Sequence, residues 1–325
     1  MITVFGSINV DLVTRVDAHP RPGETIAGSD YRLIPGGKGA NQALAAARAG
    51  ASVRLIGAVG TDAFAAVALS ELGPGGVDLA GVARRETPTG LALIVVDATG
   101  ENTIVVAAGA NRSVVAADAG AVTFGKGDTL LLQLEVPYAE GSKLALRARA
   151  AGSRVILSVA PFRPLSVEAA APASILIMNE HEAAGLAGHV GLTAGSAAEN
   201  AVGLAKIFGS TVIVTLGAEG AIAAEGGATL GTEGVIAAEA GAVRRVPALA
   251  VTPVDTTGAG DTFAGVLAAR LDAGVTLGEA MAYAAAAGSL STTREGAQPS
   301  FPMRAEIDAA LAAAGDRRPT GGRRA

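Results

Sequence analysis

Apolar residues recur along this chain in short unbroken runs, with small-residue stretches of helical spacing between them. The opening run, MITVFG, reads as a buried strand over residues 1–6, because a strand covered on both faces shows no polar alternation. Residues 10–34 alternate loosely around turns at HPRPGET and GSD and predict a small antiparallel excursion. A helix follows over 39–49, closed by Gly50. Next come a strand at 53–59, a helix at 62–72 that stops at GPGG, and a hairpin over 89–109 whose arms flank DATGEN. From residue 128 strand and helix alternate. Strands are predicted near 129–134, 154–159, 174–178 and 211–216, with helices near 137–151, 181–187 and 197–208. Residues 220–248 read as β-rich and glycine-punctuated, and three helices near 258–272, 276–292 and 304–314 close the chain. This rhythm predicts an α/β fold with a doubly wound sheet. The final GDRRPTGGRRA reads as a disordered tail over 316–325, a solvated stretch after one domain spanning 1–315.

The stretch from Val254 to Leu267, VDTTGAGDTFAGVL, carries the sharpest local pattern. Phe263, Val266, Leu267 and Leu271 recur at helical spacing, so a helix begins at the glycines. Gly258 and Gly260 permit a tight turn and leave peptide N–H groups uncovered at the helix start. With the helix dipole behind them, such groups suit an anionic oxygen, phosphate above all. Asp261 falls in the first turn, either as an acid that compensates the dipole or as a group acting beside a bound anion.

Composition narrows the partners. Half of the 325 residues are apolar, only 3% are aromatic, and alanine and glycine are abundant, so helices and sheet should pack closely through small side chains. A net charge of −5 gives no reason to propose nucleic acid or an anionic membrane as partner. The absence of cysteine removes thiol catalysis and any disulfide framework. The N-terminus lacks a basic leader, and no charge-free apolar run reaches the ~18 residues of a membrane span, so a soluble, cytoplasmic protein is expected. His19, His181 and His189 have no metal-site spacing and receive no role.

Gly36-Gly37-Lys38-Gly39 does not complete a P-loop, since no Ser or Thr follows the lysine, and the chain contains no GxGxxG. A Gly-Gly turn opening a helix can instead bring backbone and Lys38 against a polyhydroxylated ligand, although Lys38 alone also reads as a surface lysine. GAGD at a helix start, preceded by GGKGAN, resembles the ribokinase (PfkB) family of carbohydrate kinases. GSINVDLV (6–13), RPGETIAG (21–28), PGGKGANQALAAARAGA (35–51), AGAN (108–111) and LLLQLEVP (130–137) fall in the family's order. NEHE (179–182), TLGAEG (215–220), RVPALAVTPVDTTGAGDTF (245–263) and REGAQPS (294–300) continue it.

The resemblance implies a ribokinase-like, mostly parallel sheet with helices on both faces and a small β-sheet lid built from about 10–34 and 89–109. In the family this lid often pairs two subunits, so a homodimer is implied. The implied reaction is ATP-dependent phosphorylation of D-ribose to D-ribose 5-phosphate. Asp261 would be its general base, and the N–H groups of Gly258, Ala259 and Gly260 its anion hole. The sugar would meet Asn9, Asp11, Gly37, Lys38, Asn41 and Glu135, residue types that donate to and accept from hydroxyls. Glu135 also reads as the end of the strand TLLLQLE, or as an ordinary loop acid. Asn179 and Glu182 match an element associated with Mg²⁺ through water, and equally read as a helix cap with its following acid. Thr215, Leu216, Gly217, Ala218, Glu219 and Gly220 would run beside the nucleotide. Asp255, Thr257, Ser291, Arg294, Gly296 and Ser300 would surround a K⁺ ion. Two departures from the family pattern stand out, Ser158-Val159-Ala160-Pro161 for an Asn-Pro-Ala-Pro run and Ala285 for a histidine or asparagine. Two other readings remain open. One is a relative acting on a different pentose, a hexose or a nucleoside; the other is a catalytically silent sugar-binding regulator, whose mark would be loss of residues 258–261.

Overall fold

The computed structural model describes residues 1–120, 122–193, 195–226, 230–231, 234–235 and 243–316. The first half runs β1 (Ile2–Phe5), β2 (Asn9–Arg15), β3 (Arg32–Gly36), α1 (Lys38–Arg48), β4 (Val53–Val59), α2 (Phe64–Leu69), β5 (Val77–Arg84), β6 (Gly90–Val96) and β7 (Asn102–Ala107). It continues with β8 (Thr129–Leu132), α3 (Tyr138–Ala150), β9 (Arg154–Ser158), α4 (Val167–Ala170), β10 (Ile175–Asn179), α5 (Glu180–His189) and α6 (Ala197–Phe208). After β11 (Thr211–Thr215) and β12 (Ala221–Ala224) come the two-residue β13 (Leu230–Gly231) and β14 (Gly234–Val235), then β15 (Val243–Val246). Helices α7 (Ala259–Asp272), α8 (Leu277–Ser291) and α9 (Arg304–Asp316) close the described chain.

The main sheet has nine strands in the order β15-β12-β11-β10-β9-β8-β1-β4-β5. From β11 to β5 every neighbouring pair is parallel, while β12 and β15 add on antiparallel. The central parallel strands are mostly apolar because both faces are covered, while the edge strand β5 is mixed. Ile2, Val4, Leu131, Ile156, Ile177 and Ile213 face one core with α1, α7 and α8. Phe5, Leu130, Leu132, Leu157, Leu176 and Val212 face a second core with α3, α5 and α6. The chain leaves β1 toward β4 and β5 on one side and toward β8 to β11 on the other. Strand order therefore reverses at β1 and β8, and beyond the carboxyl ends of such strands open α/β sheets bind ligands.

A separate four-stranded sheet, β3-β2-β6-β7, holds the two segments expected to form the lid. β2 pairs antiparallel with β3, and β6 with β7, as the turn signals imply, while β2 and β6 run parallel. Several sequence expectations change. Strand β5 follows the GPGG turn where no element was expected, and α2 is shorter than 62–72. Strand β8 stops at Leu132, so Glu135 lies three residues beyond it. Asp316 ends α9, which moves the start of the expected tail. Residues 317–325 of that tail, and residues 236–242 of the β-rich stretch, lie outside the described residues.

Candidate active site

The site begins where β1 meets α1. A Cβ on Gly39 would stand 2.5 Å from Gly6 carbonyl carbon and Ser7 nitrogen, so only glycine lets α1 start this close to the strand's end. Gly37 reverses the chain into α1 with φ of 91°, in the left-handed region. Glu135 Oε2 then accepts from the Ser7 hydroxyl at 2.6 Å and from the Lys38 N–H at 3.1 Å, seating a carboxylate at the positive end of α1. Asn9 Oδ1 accepts from Asn111 Nδ2 at 2.7 Å, and Asn111 Oδ1 accepts from Ile8 N–H at 2.9 Å. Asn111, from the AGAN segment, thus fixes the orientation of Asn9.

Asp11 extends from β2 against Gly36, where any Cβ would meet its carboxylate at 2.5 Å. Burial, reinforced by the charges of Glu135 and Asp261, pushes its carboxyl up to about 7, with Lys38 opposing. The Lys38 ammonium is raised above its ordinary value by the Asp261 carboxylate first, against the cost of burial, with further help from Glu135, Glu182 and Asp11. One lysine therefore faces four carboxylates.

Helix α7 brings Asp261 to the same place. Gly258 occupies its N-cap in the left-handed conformation, φ 77° and ψ 2°. The Ala259 N–H leans on the Thr256 carbonyl at 3.3 Å, and among the described residues the Gly258 and Gly260 N–H groups meet no acceptor. Around Gly260 a Cβ would meet nothing within 4 Å. Two open donors at a helix start can receive a phosphoryl oxygen. Asp261 itself is 8% exposed and accepts from Asn41 Nδ2 at 3.0 Å and Gln42 Nε2 at 2.9 Å.

Those bonds extend outward. Gln42 Oε1 accepts from Gln133 Nε2 at 2.7 Å, and Asn41 Oδ1 accepts from Gln298 Nε2 at 3.1 Å. Sequence reading named Asn41 but missed Ser7, Gln42, Asn111, Gln133 and Gln298. The quoted family segments contain all five, yet nothing in a segment tells which amide turns inward.

Beside the Gly258–Gly260 turn lies a cleft of about 300 Å³ between β11, α7 and α8. Thr215, Gly217, Ala218, Gly220, Ala259 and Gly260 line it, joined by Ala285 of α8. Residues 248–251, Pro253, Thr256, Phe263, Gly288, Ser289 and Thr292 complete the wall, and of these 248–251, 253 and 256 fall in a quoted segment without having been singled out. Leu216 turns its side chain into the core, and Glu219 pairs with Arg245 at 2.6 Å instead of lining the cleft. Ser158 is buried at the end of β9.

Asn179 and Glu182 form a reciprocal cap on α5. Asn179 Oδ1 accepts from Glu182 N–H at 2.8 Å, and Glu182 Oε2 accepts from Asn179 N–H at 2.8 Å. Burial raises the Glu182 carboxyl, while the Asn179 N–H and then the Lys38 charge pull it down. With one carboxylate oxygen committed to the cap, the pair suits Mg²⁺ reached through water better than a direct cage. Among the described residues no cluster of three or more His, Cys, Asp or Glu could hold a metal.

The expected K⁺ residues are brought together only in part. Asp255 Oδ1 accepts from the N–H and hydroxyl of Thr257 at 2.9 and 2.6 Å, and Oδ2 accepts from Gly296 N–H at 2.8 Å. These bonds outweigh burial and hold the Asp255 carboxyl below its usual range. Arg294 turns to Glu306, while the Ser291 and Ser300 hydroxyls close on the carbonyls of Gly288 and Ala297. The Asp255–Thr257 loop leads into α7, and the 294–300 loop follows α8 and packs against the α7 start at Gly258.

Fold and site together place an open helix start and a buried carboxylate facing a polar pocket at the switch point of an α/β sheet. Residues 1–304 match the pfkB family carbohydrate kinase description. The ribokinase of Haemophilus influenzae is 36% identical over 312 residues, covering 94% of this chain and 96% of that one. Among solved structures, Thermotoga maritima ribokinase superposes with a TM-score of 0.84 at 32% identity, covering 96% and 99% of the two chains. Arabidopsis thaliana ribokinase, complexed with ribose and ATP, gives 0.81 at 30% identity over 95% and 98%. The chain belongs to the pfkB family of carbohydrate kinases.

Proposed function

We propose that this chain transfers the γ-phosphoryl group of ATP to the primary hydroxyl of D-ribose, yielding D-ribose 5-phosphate. The observation that carries the reading is Asp261, a buried carboxylate one turn from two open N–H groups and close to Lys38. Asp261 takes the proton of the attacking hydroxyl, and the Gly258 to Gly260 backbone holds the negative charge that develops on the transferring group. Asn9, Asp11, Lys38, Asn41 and Glu135, with the backbone at Gly37, hold the sugar hydroxyls. The nucleotide lies along Thr215 to Gly220. Asn179 and Glu182 would hold Mg²⁺ through water, and the ion would supply charge neutralisation to the phosphates. The loops around Asp255, Thr257, Ser291, Arg294, Gly296 and Ser300 would hold K⁺, which would order the α7 start rather than touch phosphate.

The relatives named above are ribokinases, one complexed with ribose and ATP, which favours ribose over a hexose or nucleoside. The acid and glycines at 258–261 are all present, which disfavours a silent regulator. A cytoplasmic location accompanies ATP as donor, and no described helix is long and apolar enough to cross a membrane. The small sheet supports a homodimer, because Ile104, Val105 and Val106 on its β7 edge are 48–59% exposed. A coupled assay of ATP with a panel of pentoses, hexoses and nucleosides tests the assignment. Ribose should turn over fastest at equal concentration, and faster turnover of fructose or adenosine would overturn it.

A further inference from the structure

The base is held by two amides, and each of those amides is held by another. Ionised Asp261 can only accept, so Asn41 and Gln42 must turn their NH₂ groups toward it. Their amide oxygens then face outward and need donors. Gln133 supplies one to Gln42 at 2.7 Å, and Gln298 supplies one to Asn41 at 3.1 Å. The polarity of both arms is thereby fixed from the outside.

All four amide residues are buried, with Gln42, Gln133 and Gln298 within 1% of full burial. Each arm ends on an amide oxygen, Gln133 Oε1 and Gln298 Oε1, that is buried and has no hydrogen-bond partner. A core serving packing alone would place an apolar residue at those ends and leave no orphan acceptor. The outer glutamines are themselves anchored: Gln133 lies just past β8, with Gly6 leaving it room, and the Gln298 carbonyl accepts from Arg48 at 2.6 Å.

We infer that Gln133 and Gln298 are positioning residues, which set the donor direction of Gln42 and Asn41 and so aim the Asp261 carboxylate at the hydroxyl it deprotonates. Neither outer glutamine bonds Asp261 or belongs to the residues assigned to sugar or nucleotide. Their action on the reaction is through one intervening amide. The inference rests on Asp261 acting as base.

The test replaces each outer amide and separates turnover from binding. Gln133→Leu keeps the bulk but cannot donate, so Gln42 loses the contact that fixes its direction. Turnover should fall by about 10- to 100-fold, the cost of a small misplacement of a reacting group. Ribose and ATP KM should change less than about threefold, since the misdirected group acts in the transition state. In a Gln42→Leu background Gln133→Leu should add nothing further, because the arm is already cut.

Gln298→Leu carries the same turnover prediction for the other arm and keeps the inference testable if a Gln133 variant does not fold. A lowered Tm with turnover unchanged in both arms would mean the glutamines only pack, and would overturn the inference. Additive losses in the Gln42→Leu background would also overturn it. Asp261→Asn is run alongside. If that variant keeps its rate, the base reading fails; if it is inactive while the glutamine variants are unaffected, only the positioning inference fails.

Discussion

The pocket around Asp261 and the cleft between β11, α7 and α8, proposed for sugar and nucleotide, are built by opposite means. Around Asp261, polar side chains are buried and bonded to one another across the fold: Ser7 to Glu135, Asn111 to Asn9, and Gln42 and Asn41 to the carboxylate. Along the cleft between β11, α7 and α8 the wall is mostly glycine, alanine, leucine, valine and proline. Where a ligand is recognised by many hydroxyls, each hydroxyl needs a fixed partner, and a misplaced one leaves a buried group unpaired. A flat base, if the cleft receives the nucleotide as proposed, would need only shape from small apolar residues and would tolerate variation. Single polar changes should therefore cost much on the first side and little on the second.

The largest expected effect is at Asp261. Asp261→Asn keeps the size and the helix start but removes the proton acceptor, so turnover should fall by roughly 10²–10⁴. Sugar and nucleotide affinity, measured by calorimetry on the same variant, should change little. If Asp261 only compensated the helix dipole, the change would cost about 1 kcal/mol or less and leave the rate within a few-fold. Retention of more than about a tenth of the rate sinks the base assignment.

Asp11 comes next and brings a pH signature. Its replacement by Ala should raise the ribose KM by about 10- to 100-fold, the worth of a hydrogen-bonded charge. The folded carboxyl titrates at about 7, above its ordinary 3.8, because burial disfavours the charged form. If the sugar hydroxyls donate to the ionised form, ribose binding weakens as pH falls below 7, by about tenfold per unit. Asp11→Asn should flatten that profile. The sign for stability is the reverse of an ion-paired acid. Ionising Asp11 costs the fold, with no cost below about pH 4 and the full cost above 7. Asp11→Asn should therefore raise Tm at pH 8 and leave it unchanged at pH 4. A ribose affinity constant between pH 6 and 8 would remove Asp11 from sugar binding.

These contrasts were legible in the sequence to different depths. The parallel strands were readable because burial on both faces leaves apolar runs, and α7 because glycines precede a periodic stretch. β5 was missed since VDLAGVAR lies near the sheet edge, with buried, intermediate and exposed positions mixed and no clean period. Asp261, Lys38 and Glu135 were reachable through motifs. Gln42, Gln133 and Gln298 were not, because their meaning lies in pairings 91 and 257 residues apart that no local spacing encodes. Leu216 and Glu219, expected beside the nucleotide, turn their side chains into the core and to Arg245, for the complementary reason. A motif names a whole stretch, but along a strand end neighbouring side chains point to different places.

Potassium should act on the boundary between the two sides. Asp255 ties residue 257 to Gly296 immediately before the α7 start, so an ion seated among these loops would stiffen the N–H groups that receive phosphate. Replacing sodium by potassium at matched ionic strength should raise turnover by about fivefold or more, a usual size for such coupling. Equal rates in the two salts would remove the cation from this site while leaving the kinase assignment in place.

The smallest effect is expected in the cleft, and it is the one that most sharpens the contrast. Ser289 on α8 accepts from the Leu249 N–H at 3.1 Å and donates to the Ala285 carbonyl at 2.9 Å, pinning the segment that forms one wall. Ser289→Ala removes both bonds. Leu249 loses its acceptor at a partly open wall that water can reach, so stability should drop by about 1 kcal/mol. The ATP KM should rise by no more than about fivefold, because a wall that recognises shape needs only to stay roughly in place. Turnover at saturating ATP and the ribose KM should be unchanged. A tenfold or larger loss of turnover would show that the cleft, like the pocket around Asp261, depends on individually fixed polar groups, and the division between the two sides would fall.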